Sequence, residues 1–346
     1  MTLAITAAHG IFVAGTATWL PPQVPVADEV RLGRCDQATA TASEMLSVTV
    51  ASGDEVPAEM AVLAARKVLR GCDPGRLGLL VHATSFDQGL EVWSAASYVQ
   101  RRAVGEARFP ALEIRQASNG SLAAMHLASC YLSALPSAKS ALITTADRFC
   151  TPTSERWAMD PGTVYADGGT AMVLSTEDGF ARVLGLSLVS GPELEGLHRP
   201  GDADGPATYD LSRPVNLTAH KKNFLKQRGI THTLDRIEQG QRLALDSALA
   251  AAETSLDEID RIVLPHFIRK RLQSNYLRHL GIDLSRTTWD FSRRIGHLGP
   301  GDQIAGLDHL VRTGQLQPGQ RCLLIAVGAG FSWSSAVVAV DRVPDS

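Results

Sequence analysis

The sequence lacks any long uninterrupted hydrophobic run, since no apolar stretch reaches about 18 residues without a glycine or a polar residue. We therefore expect no transmembrane helix. Residues 1–25 lack a basic segment followed by a long apolar run, so we also expect no signal peptide. The net charge is only −3. This balance indicates neither a nucleic-acid-binding surface nor a polybasic membrane patch.

Paired cysteines are also missing. The five cysteines are odd in number and show no CxxC spacing; they are Cys35, Cys72, Cys130, Cys150 and Cys322. We expect reduced thiols in a cytoplasmic protein, with Cys130 as a buried core thiol. No two candidate ligands have a short helical spacing such as HExxH, so we expect no metal site.

What the chain does contain is alternating strand and helix patterns, typical of an α/β protein. The chain has 346 residues, of which 45% are hydrophobic, enough for a sizeable core. Leu77–Ala83 and Ser140–Thr145 are near-continuous apolar runs, typical of strands buried on both faces. Ala58–Leu69 and Leu234–Ala252 have helical periodicity, as does a segment at about Val92–Ala103. Residues 191–216 are predicted to form a long loop.

Two passages correspond between the halves of the chain. A helix, a turn and a strand at 58–83 match those at 234–264, and two strands at 140–175 match two at 322–340. The similarity is one of pattern and not of identity. It predicts two similar halves, residues 1–178 and 179–346, with a site between them.

The stretch Leu112–Leu135 reads as a strand, a polar break and an Ala/Leu-rich helix. The break places Ser118 at the helix N-terminus, where free N–H groups and the helix dipole favour developing negative charge. Ser118 is therefore a candidate nucleophile. The alternative is that Ser118 or Ser121 merely caps the helix. The GxSxG signature of serine hydrolases is absent.

Several histidines elsewhere in the chain are candidate site residues because of their positions. His266 follows a predicted buried strand, and His297 lies in a glycine-dense loop five residues before Asp302. Taken alone, each histidine could be a satisfied polar residue, and Asp302 could be a helix cap. His198 reads as a loop histidine and His82 as a structural one.

Six segments resemble, in the same order, the ketoacyl synthase III branch of the thiolase-fold condensing enzymes. They are GIFVAGTATWLP, LEIRQASNGSLAAMHLA, YADGGTAMVLS, IVLPHFIRKRL, IGHLGPGDQIAGLDHL and VGAGFSWSSAVV. The resemblance implies a thiolase fold, with two duplicated halves in a five-layer αβαβα arrangement. It also implies that the chain is an acyltransferase.

The departures from the family pattern are specific. Ser118 stands where the family has its cysteine nucleophile, His297 stands where it has asparagine, and His266 is kept. This pattern is similar to that of starter-unit priming enzymes in aromatic polyketide pathways of the anthracycline type, which select a propionyl unit. The resemblance therefore implies propionyl-CoA as the substrate and antibiotic biosynthesis as the context.

A serine hydroxyl needs a base, and that base needs an orienting partner. Asparagine cannot act as the base, whereas histidine can, so the two replacements make sense together. We expect Ser118 to attack an acyl-CoA thioester, with His297 as the general base and Asp302 as its orienting partner. The resemblance places the oxyanion hole at the N–H groups of Ser118 and Ala329. His266 and His297 would assist condensation with a malonyl carrier protein or transfer to a carrier thiol.

The resemblance also suggests how substrates and partners bind. Arg269 and Arg271 fall where the family binds CoA, although they could equally form a solvated basic face. Trp93 or Val92 would close the acyl pocket of the partner subunit in a homodimer, and the His198 loop could reach the pocket. Acyl-CoA and acyl carrier protein are the expected partners, possible minimal polyketide synthase components are others, and no cofactor is expected beyond the substrates' CoA and phosphopantetheine. Two alternatives stay open: acyl transfer without carbon–carbon bond formation, and a non-catalytic partner that sets starter choice.

Overall fold

The computed structural model of the chain describes residues 4–53, 55–207 and 212–344. The strands of these residues are β1 (Ala4–Thr6), β2 (Phe12–Trp19), β3 (Gln23–Pro25), β4 (Ser47–Thr49), β5 (Leu77–Ala83), β6 (Ala111–Ile114), β7 (Ser140–Asp147), β8 (Gly168–Ser175), β9 (Ala181–Ser190), β10 (Arg261–Val263), β11 (Arg321–Gly328) and β12 (Ser332–Val340). Within the same ranges, no helix combines the length and apolar character needed to cross a membrane.

The α-helices of the described residues are α1 (Val26–Arg31), α2 (Gln37–Ser43), α3 (Pro57–Val68), α4 (Ala95–Val99), α5 (Gly120–Ala134), α6 (Leu217–Arg228), α7 (Ile230–Ala251), α8 (Arg269–Leu272), α9 (Arg278–Leu280), α10 (Trp289–Ile295) and α11 (Asp302–Arg312). Short 3₁₀ turns supplement them, including Ala117–Asn119, Pro192–His198 and Gly299–Gly301.

The strand order repeats on the two sides of the molecule. One side runs β2-β8-β7-β5-β6 and the other runs β9-β12-β11-β10, joined by a short pairing of β2 with β9. With the edge strand β6 left out, each side has four strands, and the first of them in the chain lies beside the fourth, which is followed by the third and then the second. The β5–β7 and β10–β11 pairs are parallel, whereas β7–β8 and β11–β12 are antiparallel. This equivalence supports our proposal that residues 1–178 and 179–346 are two similar halves.

The helices divide the sheets into layers. Helices α5 and α11 lie centrally and pack against strands of both sides, while α3 covers β2, β7 and β8, and α7 covers β9 and β12. Strand side chains alternate between the layers. Ile143 of β7 joins the central core and Leu142 the α3 side, as Val338 and Val337 of β12 join the central core and the α7 side. The result is the five-layer αβαβα arrangement implied by the resemblance.

The long elements are confirmed. Their ends are shifted by at most two residues, except that α7 begins at Ile230, four residues before the predicted start. The helix expected at about Val92–Ala103 is also confirmed: α4 continues into a wider helical turn at Gln100–Val104, and Ser94 starts the helix by accepting a hydrogen bond from the Ser97 amide. Two local predictions are wrong, the first in part. The loop at residues 191–216 contains the helical turn Pro192–His198, and its residues 208–211 lie outside the described residues. Cys130 is exposed and not a core thiol, since it lies on the solvent side of α5.

Candidate active site

The turn that carries Ser118 is clamped against the β11–β12 hairpin. Asn119 Nδ2 donates to Ser332 Oγ at 3.2 Å, and Ser332 Oγ donates to Gln116 Oε1 at 2.8 Å. Gly328 allows this close approach, because a Cβ there would overlap the carbonyl oxygen of Gln116. Ala117 has φ +46°, a strained conformation for a residue with a side chain. The turn therefore holds Ser118 in a fixed and locally strained place.

Ser118 does not cap the helix. Neither the turn Ala117–Asn119 nor α5 begins with a side-chain cap. Instead, Ser118 Oγ lies 2.7 Å from His297 Nε2, and Ser121 Oγ donates to Gln303 Oε1 at 3.3 Å. The capping interpretation of both serines is thus wrong for this helix.

His297 connects Ser118 to Asp302. Its Nδ1 lies 2.6 Å from Asp302 Oδ2, so the imidazole bridges the hydroxyl and the carboxylate. The backbone of His297 is fixed because its amide donates to Val164 O and its carbonyl accepts from the Ala166 amide, each at 2.8 Å. With Nδ1–H donated to an ionised carboxylate, Nε2 presents a lone pair to the serine hydroxyl. This is the geometry that a general base requires.

Asp302 is fully buried and accepts hydrogen bonds from three different groups. Besides His297 Nδ1, its carboxylate accepts from the His266 amide at 2.7 Å and the Leu298 amide at 2.8 Å. Burial would raise the pKa of Asp302, but the neighbouring His266 and His297 hold that pKa below its usual value. Asp302 is the first residue of α11, yet it caps no amide of that helix. Its hydrogen bonds suit an anion that orients an imidazole.

His266 lies behind Asp302 and is not among the residues that line the cavity at Ser118. Its Nδ1 lies 3.0 Å from Gly296 O and 3.2 Å from Asp302 Oδ1. Burial lowers the pKa of His266, so the ring is neutral near pH 7, and its buried Nε2 has no hydrogen-bond partner among the described residues. In this conformation His266 supports the carboxylate and does not contact the cavity.

His198, in contrast, reaches the cavity. It lines the same space as Ser118 and His297 and lies against Phe331, with 5.3 Å between ring centroids. Burial, reinforced by the nearby Lys221, lowers the pKa of His198 to about 3. A neutral imidazole therefore lines the cavity, and its buried Nδ1 has no hydrogen-bond partner in the described part of the chain. His82 is a satisfied core residue, bonded to Thr144 Oγ1 and Gln88 Oε1.

The cavity has a volume of about 200 Å³. Its wall is largely aromatic and apolar; these residues are Phe86, Phe149, Met159, Tyr165, Leu217, Phe267, Val327 and Phe331. Tyr165 and Phe267 lie beside His297, with centroid separations of 5.4 and 5.6 Å. Ala329, expected to complete the oxyanion hole with Ser118, lines the same cavity. Such a wall limits the access of water to Ser118 Oγ.

The two arginines expected at the CoA site differ in their surroundings. Arg271 lines the cavity, donating to Asp160 Oδ2 at 2.8 Å and to Thr163 Oγ1 at 2.6 Å. Arg269 is exposed and pairs with Glu44. Trp93 packs beside Tyr98 and does not line this cavity, so a contact across a dimer stays a prediction.

Two buried aspartates of the site were missed by sequence reasoning. Asp147 accepts hydrogen bonds from the amides of Ser85 and Phe86, which shapes the wall of the cavity. Burial raises the pKa of Asp147 to about 7. Asp160 joins Arg271 to Lys221, whose Nζ lies 2.6 Å from Asp160 Oδ1. Neither acid has a spacing signal. Asp160 stands in a loop, and Asp147 is the last residue of β7, where only its position after the predicted strand could have marked it.

Comparisons with known proteins agree with this fold. The sequence profile of 3-oxoacyl-[acyl-carrier-protein (ACP)] synthase III C terminal matches residues 249–340. Beta-ketoacyl-[acyl-carrier-protein] synthase III of Salmonella arizonae is 28% identical over 335 residues, covering 94% of this chain and 98% of that protein. Among solved structures, the ChlB3 acyltransferase is 36% identical, with a TM-score of 0.91 and coverage of 97% of this chain and 99% of that one. OleA of Xanthomonas campestris, at 19% identity and a TM-score of 0.74 over 95% of this chain and 97% of its own, shares the fold.

The layered fold and these relatives define a thiolase-fold enzyme that transfers acyl groups. The chain belongs to the ketoacyl-acyl-carrier-protein synthase III family.

Proposed function

We propose that the protein is a starter-unit priming enzyme of aromatic polyketide biosynthesis, of the anthracycline type, that forms an acyl ester on Ser118. The observation that carries the proposal is the chain of contacts from Ser118 Oγ to His297 Nε2 at 2.7 Å and from His297 Nδ1 to Asp302 Oδ2 at 2.6 Å. A neutral serine needs such a base, whereas a cysteine thiolate does not.

In the first step, His297 Nε2 takes the hydroxyl proton while Ser118 Oγ attacks the carbonyl carbon of propionyl-CoA. The C–S bond then breaks, the CoA sulfur takes the proton from His297, and a propionyl ester remains on Ser118. The amides of Ser118 and Ala329 would stabilise the tetrahedral oxyanion, and one such donor contributes about 3 kcal/mol in the transition state.

In the second step, the ester carbon is attacked again. Attack by a carrier thiol, deprotonated by His297, yields a propionyl thioester. Attack by the enolate formed when malonyl-carrier protein loses CO₂ yields a 3-oxopentanoyl thioester. In the first case His297 returns the thiol proton to the departing Ser118 oxygen. In the second case the departing oxygen takes up a proton from solvent by way of His297, because decarboxylation releases none.

The size of the cavity supports a short acyl chain. A space of about 200 Å³ must hold the acyl group and the thiol end of the substrate's arm. The bulky side chains Phe86, Phe149 and Met159 occupy part of its wall. Propionyl-CoA is therefore our proposed acyl donor.

A homodimer is part of the proposal. Exposed apolar side chains, Val92, Leu112 and Leu127, lie on and around the open edge of β6 and the solvent side of α5. Burial of this face against a second copy would place Trp93 near the partner's cavity. We further propose that the enzyme works in the cytoplasm with an acyl carrier protein and minimal polyketide synthase components.

Acyl transfer without carbon–carbon bond formation is a second candidate function. Two observations favour it: His266 does not line the cavity, and the ChlB3 relative is an acyltransferase. Condensing enzymes of the family use two donors against the enolate, and His297 is here already bonded to Ser118 and Asp302.

Labelled propionyl-CoA with malonyl-carrier and free holo-carrier protein separates the two functions. We expect 3-oxopentanoyl-carrier and released CO₂ from a priming condensing enzyme. Propionyl-carrier as the sole labelled product would instead establish the second candidate. Equal label on the carrier with the Ser118→Ala variant would contradict both.

A further inference from the structure

The residues that form an ester on Ser118 are also able to hydrolyse it. Once the CoA thiol has left with its proton, His297 Nε2 is unprotonated again, while Nδ1 stays 2.6 Å from Asp302 Oδ2. A base in this state can deprotonate any nucleophile that reaches the ester, and water is the smallest of these. Hydrolysis of the acyl-enzyme therefore depends on whether a water molecule has a place in the cavity beside His297.

One buried hydroxyl on the cavity wall suits a water molecule. Ser85 Oγ is buried, lines the cavity at Ser118 and has no hydrogen-bond partner in the described part of the chain. A Cβ on Gly299, two residues after His297, would lie 3.2 Å from this oxygen and 3.3 Å from Phe149 Cζ. The hydroxyl therefore lies where the His297 loop meets the aromatic wall of the cavity. Buried polar groups without a protein partner are the usual binding places of ordered water.

The backbone that carries this hydroxyl is held in place by Asp147. The Ser85 amide donates to both oxygens of this buried carboxylate, at 3.1 and 3.0 Å, and the Phe86 amide donates to Oδ1 at 2.8 Å. Thr84 Oγ1 donates to the same Oδ1 at 3.0 Å. Three consecutive residues are thus fixed to one side chain at the end of β7. Ser85 Oγ is therefore a positioned polar group and not part of a loose loop.

The length of the acyl chain decides whether a water fits. The cavity has a volume of about 200 Å³, which the acyl group shares with the thiol end of the donor. An acetyl group is shorter than a propionyl group by one methylene, whose volume is close to that of one water molecule, about 30 Å³. An apolar pocket alone favours the longer of two such groups by only about 10- to 200-fold. The acetyl ester, once formed, leaves room for a water that the propionyl ester displaces.

We propose that the protein hydrolyses acyl esters shorter than propionyl on Ser118, with a water bound at Ser85 Oγ as the nucleophile. His297 Nε2 takes a proton from this water while the water oxygen attacks the ester carbonyl carbon. The bond from that carbon to Ser118 Oγ then breaks, and His297 returns the proton to Ser118 Oγ. The products are acetic acid, which ionises to acetate, and the free serine.

The inference rests on the proposed function, because it needs the ester on Ser118. It gives the site a second selection that acts after acylation. Binding discriminates weakly against the shorter donor, and hydrolysis removes the shorter group before a carrier thiol or an enolate can take it. Ser85 acts as a positioning residue in this step, through the water that it holds.

The test compares acetyl and propionyl esters in single turnovers. Enzyme in excess over acetyl-CoA or propionyl-CoA is mixed in ¹⁸O-labelled water without any carrier protein. Quenched intact mass gives the amount of acyl-enzyme, and the released acid is measured together with its ¹⁸O content. We expect the acetyl ester to yield free acid at least about tenfold faster than the propionyl ester, with one ¹⁸O atom in the acetate. Ser118→Ala is expected to release no acid.

A pair of serine variants tests the place of the water. Ser85→Ala removes the hydroxyl, and we expect the ratio of acetate release to propionate release to fall about tenfold. This ratio does not change when a variant merely lowers the amount of active protein. Ser154→Ala is the matched control, because Ser154 is buried and its hydroxyl is likewise unpartnered among the described residues, but it lines another cavity. We expect Ser154→Ala to keep the wild-type ratio.

The esters on urea-unfolded protein give the rate of hydrolysis without help from the site. Equal decay of the two esters in the folded protein, acetyl decay no faster than in the unfolded protein, or a wild-type ratio in Ser85→Ala would overturn the inference. Each of these results leaves the proposed acylation of Ser118 intact. Formation of no acyl-enzyme and no acid from either donor would overturn both the inference and the serine mechanism.

Discussion

The His297→Asn variant is expected to lose acylation of Ser118 by about 10⁴-fold, although asparagine is the residue that the cysteine enzymes of this family carry at that place. An amide cannot take the hydroxyl proton at neutral pH. In the native chain, His297 Nε2 lies 2.7 Å from Ser118 Oγ and is the nitrogen placed to do so. The measurement is the single-turnover rate of propionyl-enzyme formation by quenched mass spectrometry.

Two controls separate this chemical loss from a folding defect. His309→Asn changes a half-buried histidine that stacks on Phe291 outside the cavity, and it should retain the wild-type acylation rate. The double variant Ser118→Cys/His297→Asn recreates the family's usual pair, and we expect its acylation to exceed that of His297→Asn alone. Acylation of His297→Asn within tenfold of the wild type would contradict the assignment of His297 as the base.

The Asp302→Asn variant is expected to lose a similar factor, about 10⁴-fold in kcat, through the wrong imidazole tautomer. Asp302 Oδ2 accepts from His297 Nδ1 and from the His266 amide, while Oδ1 accepts from the Leu298 amide. An asparagine replaces one acceptor oxygen with an NH₂ group, so one of these donors must face another donor. His297 can then present Nε2–H to Ser118, which disables the base.

The pH dependence of the unfolding free energy of Asp302→Asn tests the role of the carboxylate independently of catalysis. The pKa of Asp302 is held low in the folded chain, so its ionised form stabilises the fold above the unfolded-state pKa of about 3.9. That contribution to stability is lost as the pH falls through the lower pKa that Asp302 has in the folded chain. We therefore expect the difference in unfolding free energy between wild type and variant to be full at pH 7 and to shrink below about pH 4. A constant difference in urea denaturation from pH 3 to 7 would contradict this account of the carboxylate.

The contact between Ser118 and His297 could be predicted because a chemical requirement links these two distant positions. A serine in place of cysteine needs a base, and His297 stands where an asparagine would be useless as one. The turn Gly299–Gly301 brings the chain back so that Asp302 lies beside that histidine, as their five-residue spacing indicated. The α/β class was equally predictable from the residues, since the apolar runs of β5, β7, β11 and β12 are buried on both faces, whereas the five-layer arrangement was implied by the family resemblance.

Features that depend on tertiary packing could not be predicted. Arg269 and Arg271 look alike in sequence, but the turn that begins α8 directs Arg271 to Asp160 and leaves Arg269 on the surface. Helix α6 carries no apolar stripe and buries one large side chain, Phe224, so its periodicity gave no signal. Cys130 lies in a helix whose Ala/Leu-rich composition predicts burial on every side. One side of that helix is nevertheless exposed to solvent, and Cys130 lies on it.

The most direct test of the central claim is the mass of the protein after incubation with propionyl-CoA, followed by peptide mapping. The account predicts one propionyl adduct, located on Ser118, and none in Ser118→Ala. An unmodified wild-type protein would favour a non-catalytic partner that only sets starter choice. An adduct that persists in Ser118→Ala, for example on the exposed thiol of Cys130, would contradict the serine mechanism outright.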